Sequence, residues 1–151
     1  MPSDQSTKEG LPILEQSLTP AQRAIRDTVK KELEDYPEKD RSEILVAAVA
    51  KERLLRHFTA AYSNMFGSQI RSLEILNQRN GRITLDEASK EYSELQKEIP
   101  ELSSWTLERY ISYLRRFQLI DLDSENIFLT DIGRDFIIWL NAVGADKNKP
   151  L

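Results

Sequence analysis

The sequence predicts a mainly α-helical protein with one short β-hairpin close to its C-terminal end. Apolar residues recur at helical spacing through most of residues 20–141, and capping and stop residues divide that stretch into separate helices. Two β-prone runs, residues 119–122 and 127–129, flank a polar turn, as in a hairpin. With 151 residues, of which 40% are hydrophobic and 30% charged, the chain is large enough to bury a core.

Two helices are predicted ahead of the hairpin region. Thr19 and Pro20 form an N-cap followed by proline at the first helical position, so a helix is expected over residues 20–35. Residues 42–66 contain neither glycine nor proline, which favours one long helix. This second helix carries a broad apolar stripe formed by Leu55, Phe58, Tyr62, Met65 and Phe66.

Three further helices, the hairpin and a final helix are predicted within residues 68–142. A capping box, Thr84 with Glu87 three residues later, indicates where one of these helices begins. The other boundaries are marked by Gly67, Asn80, Gly81, Pro100, Ser103 or Ser104, and Thr130. The apolar residues expected to be largely buried are Trp105, Leu107, Ile111, Leu114, Phe128, Phe136 and Trp139.

Residues 106–120 resemble the recognition helix and first wing strand of bacterial and archaeal winged-helix transcription regulators, and residues 129–136 resemble the strand-to-helix step after their wing. The resemblance covers residues 68–142 and implies a winged helix-turn-helix fold with a short β-hairpin wing, here preceded by a two-helix N-terminal extension. It implies binding to double-stranded DNA, in the role of a transcriptional regulator. The same module also serves as a protein–protein adaptor, so an interaction module that does not bind DNA is the alternative.

Charge bears on the choice between these two functions. The net charge of the chain is −4 at pH 7, and residues 68–142 carry more acidic than basic side chains. Glutamine replaces the family's usual glycine at position 118, and Glu108 adds a negative charge to the expected recognition helix. The wing carries the acidic residues Asp121, Asp123 and Glu125. Because phosphate binding requires cations, such a wing favours the adaptor function.

The predicted recognition helix nevertheless has a polar face that suits DNA. If Leu107, Ile111 and Leu114 face the core, helical spacing directs the opposite face toward solvent. The candidate DNA-contacting residues are Thr106, Arg109, Ser112, Tyr113, Arg115 and Arg116. Arginine can contact guanine or phosphate, and hydroxyl groups can reach phosphate oxygens or base edges. A solvated helix face whose arginines pair with nearby acids is the alternative.

No pattern in the sequence supports catalysis. The chain has no cysteine, and His57 is its only histidine, in a strongly helical stretch where a half-buried structural role is expected. The sequence contains no Gly-rich phosphate loop, no His-Glu-x-x-His motif and no Gly-x-Ser-x-Gly motif. We therefore expect a protein that is not an enzyme and has no catalytic residues, metal site or cofactor.

The sequence also predicts how the chain is divided and where in the cell the protein is found. Residues 1–17 and 143–151 are predicted to be flexible tails, residues 18–66 a helical extension, and residues 67–142 the winged-helix domain. The extension is expected to form a homodimer or to fold back on that domain. A cytoplasmic location away from membranes is expected, because we find no signal-like N-terminus, no cysteine and no apolar run of about 20 residues.

Overall fold

The computed structural model of the chain describes residues 17–151 and is mainly helical, with a small antiparallel sheet. The described helices are α1 (Pro20–Glu34), α2 (Arg41–Asn64), α3 (Gly67–Gln78), α4 (Leu85–Glu98), α5 (Leu107–Arg116) and α6 (Asp131–Ala142). The strands are β1 (Arg82–Thr84), β2 (Ile120–Leu122) and β3 (Asn126–Leu129), and short 3-10 turns cover Glu38–Asp40 and Pro100–Ser104. The predicted flexible tail at residues 1–16 lies outside the described residues.

The chain divides into two units at a point within α2. The first unit ends at Lys51, and the second extends from Glu52 to Leu151. The division precedes the boundary between residues 66 and 67 that the sequence suggests. Its physical reason is that Phe58 and Ala61, on the later turns of α2, are buried in the core of the second unit. The C-terminal half of α2 therefore belongs to the same folded body as α3 to α6.

The first unit consists of α1, a 3-10 turn and the beginning of α2. As predicted, Thr19 caps α1: its hydroxyl accepts a hydrogen bond from the Gln22 backbone N–H, and the Gln22 side chain accepts one from the Thr19 N–H. Arg41 donates a side-chain hydrogen bond to the Tyr36 carbonyl oxygen at 3.0 Å, which fixes the start of α2. Between residues 17 and 51 no side chain is buried, although many are apolar.

Local signals set most helix ends of the second unit as the sequence predicts, but α5 is capped by Thr106 and not by Ser103 or Ser104, which lie in the preceding 3-10 turn. Thr84 and Glu87 form the predicted capping box at the start of α4, and these hydrogen bonds lower the pKa of the Glu87 carboxyl. Asn80 and Gly81 both adopt positive φ angles, 59° and 76°, and so end α3. Thr130 caps α6 by accepting a hydrogen bond from the Gly133 N–H at 2.9 Å.

The predicted hairpin is present and is joined by a third strand that the sequence did not predict. In the hairpin, Ile120 of β2 is paired with Leu129 of β3. Strand β1 pairs with the other edge of β3, where Ile83 faces Ile127, so the strand order is β1-β3-β2. Strand β1 has only three residues, too few for an alternating pattern to be recognised in the sequence.

The core of the second unit confirms part of the predicted burial. Ile111, Leu114 and Phe136 are buried as predicted. Trp105, Leu107 and Trp139 are buried only in part, at the edge of the core, and Phe128 is partly buried on the other face of β3 from Ile127 and Leu129. Tyr110, which was not predicted to be buried, is 2% exposed. The helical phase of α5 is therefore shifted toward Tyr110.

Residues 143–151, predicted to be a flexible tail, make contacts with α2 and α3. The Tyr62 hydroxyl donates to the Asp146 carbonyl oxygen at 2.7 Å, and the Lys149 ammonium lies 4.2 Å from the centre of the Tyr62 ring. Lys147 forms an ion pair with Glu74. Burial lowers the pKa of Lys149. These polar groups give the segment several partners that hydrophobic patterning does not reveal.

Replacing Phe136 with alanine should lower the free energy of unfolding by about 3–5 kcal/mol, because it removes a fully buried ring and leaves a cavity. Phe136 is 0% exposed. The matched control is Ile138→Ala on the same helix, at a side chain that is 66% exposed, and its effect should stay within about 0.5 kcal/mol. Urea denaturation followed by circular dichroism measures the free energy of unfolding of both variants. An equal loss of stability in the two would contradict the burial of Phe136 in the core.

Candidate nucleic-acid interface

Helix α5 is held against the core by its inner face and by buried hydrogen bonds from α3. Tyr110, Ile111 and Leu114 form the buried side of the helix. The Tyr110 hydroxyl donates to Ser68 Oγ at 3.0 Å, and Gln69 Nε2 donates to the Tyr110 carbonyl oxygen at 2.9 Å. Burial raises the pKa of Tyr110, so its hydroxyl stays protonated and able to donate. The opposite face of α5 is thereby fixed toward solvent.

The N-terminal end of α5 presents a guanidinium on an aromatic support. Thr106 is the N-cap, and its hydroxyl accepts a hydrogen bond from the Arg109 N–H at 3.1 Å. The Arg109 guanidinium lies 4.1 Å from the centre of the Trp105 ring, a cation–π arrangement that restrains the side chain. Ser112 donates its hydroxyl hydrogen to the Arg109 carbonyl oxygen at 2.7 Å. Thr106, Arg109 and Ser112 are all exposed, as predicted.

The structure separates Tyr113 from the other candidate residues. Its hydroxyl donates to the Ala61 carbonyl oxygen of α2 at 3.1 Å, and its ring lies 4.8 Å from that of Phe117. The side chain is half-buried, and this burial raises its pKa. Tyr113 therefore joins α5 to α2, whereas the sequence assigned it to the open face.

The C-terminal end of α5 carries two exposed arginines. Arg115 lies 3.7 Å from the Asp121 carboxylate, and since both side chains are more than half exposed, this pair contributes little to stability. Arg116 is also exposed. After the helix, Gln118 has a φ of 57°, the conformation for which glycine is favoured. The backbone thus adopts this conformation at Gln118 although the residue is not glycine.

Helix α2 adds basic residues beside this end of α5 that the sequence did not single out. His57 Nε2 lies 2.7 Å from the Phe117 carbonyl oxygen, and the two rings are 5.4 Å apart. Arg53 lies one helical turn before His57 and is therefore on the same face of α2. Arg53 and its neighbour Arg56 are both exposed. The contacts of His57 with Phe117 join this part of α2 to the C-terminal end of α5.

One of the acidic residues of the β2–β3 hairpin, Asp123, stabilises the hairpin turn. The Asp123 carboxylate accepts backbone hydrogen bonds from Glu125 at 2.8 Å and from Asn126 at 2.7 Å. These bonds lower the pKa of Asp123. Asp123 therefore has a structural role in closing the hairpin, while Glu125 is exposed at the tip of the wing.

His57 is the one histidine of the chain, and its surroundings are defined by packing between helices. His57 is half-buried between α2 and the end of α5, as a structural histidine is expected to be. No group of three or more histidine, cysteine, aspartate or glutamate residues in this part of the chain could hold a metal ion. None of the helices described here is both long and apolar enough to cross a membrane.

Comparison of the chain with protein-family models, curated proteins and solved structures gives no significant match in any of the three.

Replacing Tyr113 with phenylalanine should lower the free energy of unfolding by about 0.5–1.5 kcal/mol, because the Ala61 carbonyl oxygen loses its hydrogen bond from the hydroxyl. Ser112→Ala is the matched control, since that neighbouring hydroxyl is exposed and bonds only within its own helix turn. Urea denaturation should give a smaller change for Ser112→Ala. A change at Ser112 as large as that at Tyr113 would argue against the docking role.

Proposed function

We propose that the second unit is a winged helix-turn-helix domain that binds double-stranded DNA, as a transcriptional regulator does. The order of its elements, α3-β1-α4-α5-β2-β3-α6, follows the layout of such domains, with α5 in the position of the recognition helix. The observation that carries the proposal is the charge on the outer face of α5. Three arginines, Arg109, Arg115 and Arg116, are exposed on a helix whose other side is fixed in the core.

The proposed interface uses both ends of α5. Arg109, restrained over Trp105, is suited to a base edge or phosphate in the major groove, because its planar guanidinium has lost part of its rotational freedom. Arg115 and Arg116 at the other end are suited to backbone phosphates. Arg53 and Arg56 of α2 are also exposed, and in this proposal they contact flanking phosphates, so that the acidic wing is not needed for backbone binding.

A protein–protein adaptor of the same fold is the second candidate function. It is favoured by the exposed acidic residues of the wing and by the excess of acidic side chains in residues 68–142. Tyr113 contributes little to such a surface, because its hydroxyl is already bonded to α2. A partner of this kind would carry a basic surface complementary to the wing.

The test of DNA binding is the Arg116→Ala variant. If Arg116 contacts a phosphate, the variant should bind all duplexes more weakly and the salt slope of binding should fall by about one. Arg134→Ala, on α6 outside the proposed interface, removes the same charge and should leave the slope unchanged. Fluorescence anisotropy with one duplex at several salt concentrations measures both variants.

Two results would reject DNA binding through α5. One is wild-type protein that shows no salt-dependent affinity for duplex DNA, which would leave the adaptor function. The other is an equal effect of Arg116→Ala and Arg134→Ala, which would indicate a response to net charge alone.

We also propose that the first unit forms a homodimer. The α2 segment Ile44–Ala50 is entirely apolar, yet Val46 is 64% exposed and Val49 is 48% exposed. On α1, Ile25 is 65% exposed. A helix that is apolar on all sides is normally covered on more than one side, and α1 leaves these residues uncovered.

Charge complementarity favours a second copy of the chain as the partner. Glu43 precedes the apolar segment and Lys51 follows it, and both are exposed. Glu43 and Lys51 lie four residues to either side of Ala47, so an antiparallel two-fold pairing at this level of α2 would bring each Glu43 level with the Lys51 of the other copy. A dimer would also suit DNA binding, because helix-turn-helix proteins commonly contact two half-sites.

Replacing Val46 with glutamate should convert the dimer to a monomer, since the charge would be buried in the apolar interface. The control is Ile138→Glu, which introduces the same charge at an equally exposed apolar residue of α6. Sedimentation velocity over a range of concentrations gives the mass of each. A wild-type protein that remains monomeric at high concentration, or a dimer unaffected by Val46→Glu, would refute this arrangement.

A further inference from the structure

A cavity of about 170 Å³ lies in the core of the second unit, between α3, α4, α5 and the sheet. Its walls include Leu73, Ala88, Leu95, Ile111, Leu114 and Ile127. Two further lining residues, Ile75 and Glu91, are exposed, so the cavity reaches the protein surface beside them. The space is thus bounded by core side chains and has a route of entry from solvent.

The hydroxyl groups that line the cavity already have protein partners. The Tyr92 hydroxyl donates to the Trp105 carbonyl oxygen at 3.0 Å, and the Ser72 hydroxyl donates to the Ser68 carbonyl oxygen at 2.9 Å. In the described part of the chain, no buried side-chain nitrogen or oxygen lacks a hydrogen-bond partner. Most of the lining is apolar, so the walls offer few of the two to four polar partners that a buried water molecule needs.

We propose that this cavity is a binding site for a small, uncharged, apolar molecule of about the size of a benzene ring. Apolar cavities of about 150 Å³ stay dry and accept benzene or xenon. An occupant would restore the dispersion contacts that the lining side chains lack across the empty space. A charged ligand is disfavoured, because the inner walls are apolar and the charged lining residue, Glu91, lies at the surface in an ion pair with Arg79.

The position of the cavity connects it to the helix of the proposed DNA interface. Leu107, Ile111 and Leu114 line the cavity and lie on α5, whose opposite face carries Arg109 and Arg116. A bound molecule would therefore touch the inner face of the same helix. The site itself depends only on the core, so it stands whether or not α5 binds DNA.

Benzene and xenon are the probes for this site, used on the full chain with ¹³C-labelled methyl groups. Titration should give saturable NMR shifts at Leu73, Ile111 and Leu114, whereas the exposed Ile138 should not move. Shifts that rise linearly without saturation, that occur at other methyl groups, or that are absent would overturn the proposal. DNA plays no part in this measurement, so its outcome is independent of the proposed function.

A substitution that fills the cavity tests the site directly. Ala88→Leu adds three carbon atoms inside the site and should abolish the benzene shifts at Ile111, and also the rise in melting temperature that bound benzene causes. Ala142→Leu makes the same change at an exposed position at the end of α6 and should retain both responses. Leu95→Phe is a second filling variant if Ala88→Leu does not fold. Undiminished benzene shifts in a folded filling variant would reject the site.

Discussion

The orientation of α5 depends on the buried hydrogen bonds that α3 makes to it. Ser68 and Gln69 are the two buried polar residues of the described chain, and burying an amide is costly unless both of its ends are bonded. Gln69 meets this condition: its Oε1 accepts from the Phe66 N–H and its Nε2 donates to the Tyr110 carbonyl oxygen. These partners fix Tyr110 inward, and the spacing of the helix then directs Arg109 and Arg116 outward.

The same constraint decides which chemistry remains available on the outer face. The Tyr113 hydroxyl is bonded to α2, and the Thr106 hydroxyl accepts a hydrogen bond as a helix cap, which leaves only its hydrogen to donate. The exposed guanidinium groups are the main groups on this face that can bind DNA. Their long-range attraction to phosphate does not depend on the DNA sequence. Affinity for the DNA backbone would thus come before base selection, with Arg109 in the best position for selectivity.

Helix α2 shows how one continuous helix can serve two purposes. Its later turns place Phe58 and Ala61 in the core of the second unit and hold the end of α5 through His57. Its first turns carry Ile44–Ala50, which is as apolar as a core segment but has no buried residue. Stability of the second unit and the proposed association of the first should therefore respond to separate substitutions within the same helix.

The sequence by itself determined the ends of most elements, because capping contacts join residues only three apart, as between Thr84 and Glu87. It likewise gave the hairpin, whose strands are close neighbours in the chain. Tertiary structure alone decided the pairing of β1 with β3, the inward position of Tyr110 and the bond from Tyr113 to α2. It also decided the need for Gly133, where a Cβ atom would overlap the Leu119 carbonyl oxygen. Each of these depends on partners distant in sequence, whose approach no local spacing or propensity encodes.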